Sequence, residues 1–440
     1  MANGKVLIVG AGRSGQALAR LLRAEGREAL LADEKLASRD LPADLQETPL
    51  LGGPFQSAWL AGIERVVLSP GVPGDGAAAR AAAAARIPVS GEIEEAFARA
   101  RRPIVAVTGT NGKSTTTTLI GMLLESQGYA APAGGNLGRP FSQLLLEEPG
   151  ADYYVLEISS FQCETFERFH PRCAGLLNLT PDHLDRYGDV ERYYAAKLRL
   201  FERMEARDWI YAPDDAEIAA RLAPYPPARL LFSLAGEVEQ GAFLRRGSLW
   251  GRFGGQEFEI LPAAELGLVG RHNLANALAA VAAVLPFGVE ARNMAGVLRS
   301  FCGLPHRMED LGPLEGLRCF NDSKATNVEA ALASLSGMAG SILLIAGGRD
   351  KGGDFGMLAA GLPQVRRVYG IGEAGAAIVR AFGERGRDVG DLAAAVRAAR
   401  EEGREGELLV LSPACASYDQ YRNFEERGEH LRRLVSEARS

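Results

Sequence analysis

At 440 residues, with 47% hydrophobic and 24% charged side chains, the chain is long enough for two or three domains, each with its own apolar core. A net charge of −6 excludes a global electrostatic pull toward nucleic acid or an anionic membrane, so an anionic substrate must be caught by local basic groups. The five cysteines form no CxxC pair and no stretch reads as a membrane span or signal peptide, so the expectation is a cytoplasmic protein, in a reducing compartment, that binds neither nucleic acid nor membrane.

Residues 6–9 form a buried-type strand, followed by Gly10-Ala11-Gly12-Arg13-Ser14-Gly15, which matches G-x-G-x-x-G. Residues 16–25 read as a helix ended by Gly26, and a second strand over 29–32 runs into Asp33. This is a dinucleotide-type fingerprint: turn N–H groups approach a diphosphate and the strand-end acid meets a ribose hydroxyl. Taken alone it says NAD, but the same turn suits other diphosphates. Another strand ends in Ser69-Pro70-Gly71-Val72, which either lines the same site or forms a plain turn. The Ala-rich stretch 77–85 reads as a surface helix between strands, and the basic, proline-terminated run 99–103 marks a domain boundary.

A new sheet begins at 104–107 and enters Thr108-Gly109-Thr110-Asn111-Gly112-Lys113-Ser114-Thr115, then a helix that Gly128 stops. Glycines let backbone N–H groups approach phosphate oxygens, and the helix N-terminus adds positive potential. Lys113 would meet the β/γ-phosphates and the Ser114 or Thr115 hydroxyl a Mg²⁺ ion. The general phosphate loop has one more glycine, where this chain has Val107. A plain strand–turn–helix accounts for the glycines and threonines but not for a lysine after glycine at a crowded turn. Gly134 to Gly138 form a glycine-rich loop around Asn136. The apolar strand 153–158 carries Glu157 and ends in Ser159-Ser160; an acid there is costly unless paired, and it is placed for a Mg²⁺ contact.

After a strand at 175–179, Thr180-Pro181-Asp182-His183-Leu184-Asp185-Arg186-Tyr187 gathers a histidine, two acids and an arginine. A neutral imidazole there suits a metal; a structural histidine is the alternative. Residues 190–201 read as a helix whose Lys197, by pattern alone, is a solvated side chain. Residues 206–262 read as strands and short turns without chemistry. Asn273 and Asn276 share a face at the start of an Ala-rich helix, either as caps or for amide recognition of a base. A second junction falls at 301–307, and a third α/β segment follows, with polar or glycine-rich loops after its strands. The expected fold is α/β with three domains: Rossmann-like over 1–100, a P-loop ATPase-type sheet over 101–303, and Rossmann-like again over 304–440.

The run Thr108 to Ser114 resembles the ATP loop of the Mur ligases and their folylpolyglutamate synthetase relatives. Asn321-Asp322-Ser323-Lys324-Ala325-Thr326-Asn327 and Ser412-Pro413-Ala414-Cys415-Ala416-Ser417-Tyr418-Asp419-Gln420 resemble the D-glutamate-adding members of that family, and the resemblance spans essentially the whole chain. It implies a monomeric ligase in which ATP phosphorylates the L-alanine carboxylate of UDP-N-acetylmuramoyl-L-alanine. The amine of D-glutamate then attacks the acyl phosphate, with positioning and charge neutralisation in place of a protein nucleophile.

The resemblance implies that Gly109, Thr110, Asn111, Gly112, Lys113, Ser114 and Thr115 hold ATP, joined by Asn273, Arg307 and Asp322. It puts Ser114 and Glu157 on one of two Mg²⁺ ions and His183 on the second, with Lys197 converted by CO₂ to a carbamate at the metal site. Lys113, His183, Lys197 and Asn136 are the implied catalytic set, Asn136 lying beside the reacting end of the UDP substrate. The first glycine loop is re-read: Arg13, Ser14, Asp33, Ser69, Pro70 and Gly71 hold uridine diphosphate rather than NAD. Ser159, Gln162 and Arg186 add substrate contacts, and Lys324, Thr326, Lys351, Ser417, Tyr418 and Phe424 receive D-glutamate. One departure is Glu34-Lys35, where relatives carry Thr-Arg. An NAD-dependent dehydrogenase would leave Lys113, Glu157 and the C-terminal motifs idle. A switch-type P-loop protein would leave the first and third domains unexplained, and the 321–327 and 412–420 motifs oppose another amino-acid acceptor.

Overall fold

In the computed structural model of the protein, residues 4–35, 41–268, 270–336, 338–350 and 352–439 are described. The first sheet is built from β1 (Lys5–Val9), α1 (Arg13–Ala24), β2 (Ala29–Asp33), β3 (Leu50–Gly52), β4 (Ile63–Leu68), α2 (Ala77–Ala84), β5 (Val89–Gly91) and α3 (Glu92–Phe97). Its strands are parallel in the order β3-β2-β1-β4-β5. Val6, Leu7 and Ile8 are buried, as expected of a parallel strand covered on both faces. The order reverses at β1, so the crevice beyond the ends of β1 and β4 is where Gly10 and Ser69 emerge.

The second sheet takes β6 (Ile104–Thr108), α4 (Lys113–Ser126), β7 (Ala133–Gly135), α5 (Phe141–Glu147), β8 (Tyr154–Glu157), α6 (Ser160–Cys163) and β9 (Cys173–Leu176). It continues through α7 (Leu184–Tyr187), α8 (Val190–Leu198), β10 (Trp209–Pro213), α9 (Ala216–Leu222), β11 (Ala228–Ser233), β12 (Gly241–Arg245), β13 (Ser248–Phe253), β14 (Gln256–Pro262), α10 (Arg271–Val284) and α11 (Ala291–Ser300). The order is β14-β13-β12-β11-β10-β9-β6-β8-β7, parallel as far as β12 and antiparallel beyond it. β6 is buried along its whole length between β9 and β8, so the loop it feeds starts from a rigid base.

The third sheet comprises β15 (Glu309–Leu314), β16 (Leu317–Asn321), α12 (Val328–Leu335), β17 (Ile342–Gly347), α13 (Phe355–Gly361) and β18 (Val365–Ile371). It is completed by α14 (Gly375–Phe382), β19 (Gly386–Gly390), α15 (Leu392–Glu402), β20 (Leu408–Leu411) and α16 (Phe424–Glu437). The order is β15-β16-β20-β17-β18-β19, with only the β15–β16 hairpin antiparallel. Each face of this sheet carries its own apolar cluster.

The chain divides into two compact units at Phe301 and Cys302. Within the first unit, α3 joins the first two sheets by hydrogen bonds. The Glu94 carboxylate accepts the N–H groups of Glu167, Arg168 and Phe169 at 3.2, 2.9 and 3.1 Å, and Glu92 accepts that of Ser142 at 2.6 Å.

Four local expectations shift. The strand expected over 175–179 runs over Cys173–Leu176, its pairing with β6 ending at Leu176, so Asn178 lies in the loop beyond it. The helix expected from residue 16 begins at Arg13, because its first turn grows directly out of the glycine loop. The helix expected over 190–201 ends at Leu198 and tightens into a 3₁₀ turn over Arg199–Phe201. Within the stretch read as strands and turns, α9 is a helix; Asp215 caps it by accepting the Ile218 N–H at 3.0 Å, a signal the β-rich surroundings masked. Among the described residues no helix is long and apolar enough to cross a membrane.

Candidate active site

The loop between β6 and α4 is shaped by two left-handed glycines, Gly109 (φ 145°) and Gly112 (φ 83°). A Cβ on Gly112 would lie 2.2 Å from Asn276 Oδ1, so α10 is packed directly against the loop. Asn276 in turn donates from Nδ2 to Asn273 Oδ1 at 3.2 Å. The N-cap of α10 is Gly270, without a side-chain bond, so neither asparagine occupies the cap position itself. Lys113 folds its ammonium back over the loop, donating to the carbonyls of Gly109 at 2.9 Å and Thr110 at 2.7 Å. Ser114 and Thr115 are buried in the first turn of α4. Asn111 lies exposed at the loop's tip.

Lys197 is not the solvated side chain its pattern suggests. It is 1% exposed, donates to the same Gly109 carbonyl at 2.9 Å, and lies over the Tyr193 ring at 4.5 Å. Burial, reinforced by the Lys113 charge, lowers its ammonium to about 7. The exposed His183 ring stands 5.9 Å from the same Tyr193 ring and 4.8 Å from Phe161, on a backbone held at φ 51°. Its Nε2 is 3.6 Å from Asp182. Glu157 ends β8 directly opposite Gly135, and the Asn136 amide donates to Glu157 Oε1 at 2.6 Å. Glu157 is 3% exposed, and its Oε2 has no hydrogen-bond partner. An orphaned carboxylate oxygen with hydroxyls in the neighbouring helix turn is a donor set suited to a hard divalent cation.

The N-terminal loops join this cluster. Ser69 Oγ donates to the Gly10 carbonyl at 2.7 Å, and Arg13 donates to the Gly138 carbonyl at 3.0 Å, beside Asn136. Asp33 accepts the Ala11 N–H and the Lys35 N–H, each at 2.9 Å, and so braces the glycine turn. Ser14 is half-buried in α1 and Gly71 exposed, while the Pro70 carbonyl accepts from Arg186 at 3.4 Å. Arg186 also grips Glu164 with two N–H groups (3.1 and 2.7 Å) and stacks on Phe161 at 4.2 Å. Ser159 and Gln162 form a reciprocal capping box for α6, which gives both a structural task.

In the second unit, burial pushes the Asp322 carboxyl up to about 6, against hydrogen bonds and the nearby Arg307 charge. Asp322 accepts from Ser412 Oγ at 2.9 Å and from the Met308 N–H at 3.2 Å. Lys324 Nζ lies 5.1 Å from the centre of the Phe424 ring, so these two residues are brought together. Ser417 is buried, Tyr418 is 63% exposed and Thr326 is half-buried. Lys351 lies outside the described residues.

Three family models match the chain in order: "Mur ligase MurD-like, N-terminal domain" over residues 4–91, "Mur ligase middle domain" over 107–284 and "Mur ligase, glutamate ligase domain" over 306–415. The chain is 40% identical over 443 residues to the UDP-N-acetylmuramoylalanine–D-glutamate ligase of Pelotomaculum thermopropionicum, covering 98% of this chain and 97% of that one. The chain belongs to the Mur ligase family. A second Mur ligase relative of the same name, from Methylococcus capsulatus, is 41% identical over 441 residues, covering 98% and 94%. Among solved Mur ligases, MurC from Thermotoga maritima aligns with a TM-score of 0.59 at 18% identity, covering 99% of both chains. MurF from Thermotoga maritima, in complex with ADP, aligns at 0.58 and 16%, covering 100% of this chain and 96% of that one. These two likenesses show the fold.

Two residues of this Mur ligase chain stand out that sequence reasoning passed over. Arg427 is 1% exposed and donates to Ser323 Oγ (3.0 Å), Ser323 O (2.9 Å), Cys415 O (3.2 Å) and Gly347 O (3.4 Å), tying the loops after β16, β20 and β17 together. Burial lowers it to about 10. On an amphipathic helix such as α16 it reads as one more exposed arginine. The other is Asn178, which reads only as the end of a strand.

Proposed function

We propose that the protein is the ATP-dependent ligase that joins D-glutamate to UDP-N-acetylmuramoyl-L-alanine through an acyl phosphate, releasing ADP and phosphate. The observation that carries the reading is the convergence of two lysine amino groups, those of Lys113 and Lys197, on the Gly109 carbonyl of a strand–loop–helix turn. It occurs in a chain whose end-to-end relatives bear that activity in their name. In this reading residues 1–100 take the UDP substrate, 101–303 take ATP and 304–440 take D-glutamate.

The chain's own groups then divide the work. Gly109 to Thr115 receive the nucleotide phosphates, and Lys113 neutralises charge on the γ-phosphoryl group as it moves to the L-alanine carboxylate. Asn273, Arg307 and Asp322 hold the rest of ATP. Ser114, Glu157 and His183 would hold two Mg²⁺ ions, and the orphaned Glu157 Oε2 supports that fit. Those ions would supply charge stabilisation for the transferring phosphoryl group. Lys197, held to about 7, presents a neutral amine near neutral pH and so can take up CO₂ as a carbamate. Asn136 is oriented by Glu157 toward the reacting end of the UDP substrate.

Arg13, Ser14, Asp33, Ser69, Pro70 and Gly71 organise the turns that receive the uridine diphosphate, with Ser159, Gln162 and Arg186 adjoining. Lys324, Thr326, Lys351, Ser417, Tyr418 and Phe424 receive D-glutamate, where lysine ammonium groups suit its carboxylates. The protein works as a monomer in the cytoplasm. The deciding experiment is phosphate release from ATP measured with each substrate omitted in turn. Release is expected only when UDP-N-acetylmuramoyl-L-alanine and D-glutamate are both present. Full activity with L-glutamate or meso-diaminopimelate in place of D-glutamate would overturn the acceptor assignment.

A further inference from the structure

Two residues beyond β9, the side chain of Asn178 is wedged into the first half of the phosphate loop. Its Oδ1 accepts the N–H groups of Thr110 at 3.1 Å and Asn111 at 2.8 Å, while its Nδ2 donates to the Asn111 carbonyl at 3.0 Å. The Asn178 backbone carbonyl also accepts from the Thr110 N–H at 3.2 Å. Just beyond it, Thr110 Oγ1 donates to the Thr180 carbonyl at 3.0 Å, and the Thr180 N–H lies 3.1 Å from the same Oγ1. The loop is therefore spliced, residue by residue, to the segment that follows β9.

This splice bears on the glycine that the loop lacks at Val107. A phosphate loop richer in glycine turns its successive N–H groups toward the anion. Here the N–H groups of Thr110 and Asn111 are already turned to Asn178 Oδ1. Within the Gly109 to Thr115 loop, direct anion contact then centres on the start of α4 and on Lys113, while Thr110 and Asn111 set the loop's shape around the phosphates. Lys113 is aimed by the carbonyls of Gly109 and Thr110, and Lys197 by that of Gly109. The directions of those carbonyls depend on the Thr110 and Asn111 peptides that Asn178 clamps.

We propose that Asn178 is the positioning residue of the phosphate loop, holding it in its nucleotide-receiving shape without itself being a phosphate ligand. The proposal rests on the reading that this loop binds ATP. A merely structural asparagine would affect stability and every substrate alike; a loop brace acts selectively on nucleotide.

The test uses the full chain with Mg²⁺-ADP as probe in isothermal titration calorimetry. Steady-state KM values for all three substrates and a thermal melt accompany it. Asn178→Ala is expected to weaken ADP and raise the KM for ATP by about tenfold to a hundredfold, the loss expected when hydrogen bonds that orient a charged site are removed. The KM for D-glutamate should stay within about twofold and the melting temperature within a few degrees. Asn178→Asp keeps both acceptor contacts but sets an oxygen against the Asn111 carbonyl and a negative charge beside the phosphates, so its ADP affinity should fall at least as far as that of the alanine variant; it also carries the comparison if the alanine variant does not fold. Unchanged ADP affinity in the variants, or a rise in all three KM values together with a lowered melting temperature, overturns the proposal. Failure of the wild-type protein to bind ADP overturns the ATP reading, and this proposal with it.

Discussion

At the scale of single residues, the site is a place where charge is held against its preference. Lys197 is buried beside a second lysine, and burial together with that charge lowers its ammonium to about 7. Lys197→Ala should leave the enzyme nearly inactive, with partial rescue by short carboxylic acids that restore an anion at the site. Phosphate release with and without added acetate or propionate measures this, and wild-type activity in the unrescued variant would remove Lys197 from the mechanism. Glu92 shows the same tension in an acid. Burial pushes its carboxyl up to about 7; Oε1 accepts the Ser142 N–H, and Oε2 and Ser142 Oγ are buried without partners. The folded pKa lies above the unfolded one, so Glu92 favours folding below about pH 4.5 and that contribution is lost as pH rises through about 7. Glu92→Gln should therefore raise the melting temperature at pH 8 and change little at pH 4.5, by an amount on the order of 3 kcal/mol at most. Parallel melting curves at both pH values would contradict it.

At the scale of elements, function depends on close approaches between backbone and neighbour. Gly112 caps α4 in a left-handed conformation directly under Asn276 of α10. Gly128, just beyond the same helix, is also left-handed (φ 97°) but has nothing within 4 Å of a Cβ. Gly112→Ala should thus lower kcat/KM for ATP by about tenfold or more, because the Asn276 amide or the loop must give way in addition to the ~1–2 kcal/mol conformational penalty. Gly128→Ala should cost stability of about that penalty alone and leave the kinetics intact. Steady-state kinetics and denaturation of the pair separate the two effects.

The same scale shows how far the sequence could be read. Gly109, Gly112 and Lys113 were legible because a loop–helix junction has a strict pattern of glycines followed by a cation. Lys197, Asn178 and Arg427 were not legible from residue type and spacing. A lysine on a helix, an asparagine after a strand and an arginine on a C-terminal helix are ordinary wherever they occur. Their partners lie 88, 67 and 104 residues away in the chain. The likeness to Mur ligases singles out Lys197 but not the other two.

At the scale of the whole molecule, the two compact units each carry their own apolar clusters: those of the first two sheets in one, those of the third sheet in the other. The three tryptophans, Trp59, Trp209 and Trp250, all belong to the first unit. Thermal unfolding followed by tryptophan fluorescence should therefore report that unit alone, while far-ultraviolet circular dichroism reports both. The two curves are expected not to coincide, and Mg²⁺-ADP should shift the fluorescence transition upward. Coincident curves that move together with ligand would mean the units unfold as one.

The sequence by itself determined the alternation of buried strands and helices, the glycine turns at the strand ends and the chemistry those turns invite. These follow from local periodicity and from backbone conformations that only certain residues adopt. The tertiary structure decided which ends meet. It turned Asp33 onto the glycine turn, set Asn276 against Gly112, buried Lys197 at the Gly109 carbonyl and left one oxygen of Glu157 without a partner. Burial and the pairing of distant polar groups are properties of the packed chain. They change the chemistry of a side chain without leaving a mark on the residues beside it.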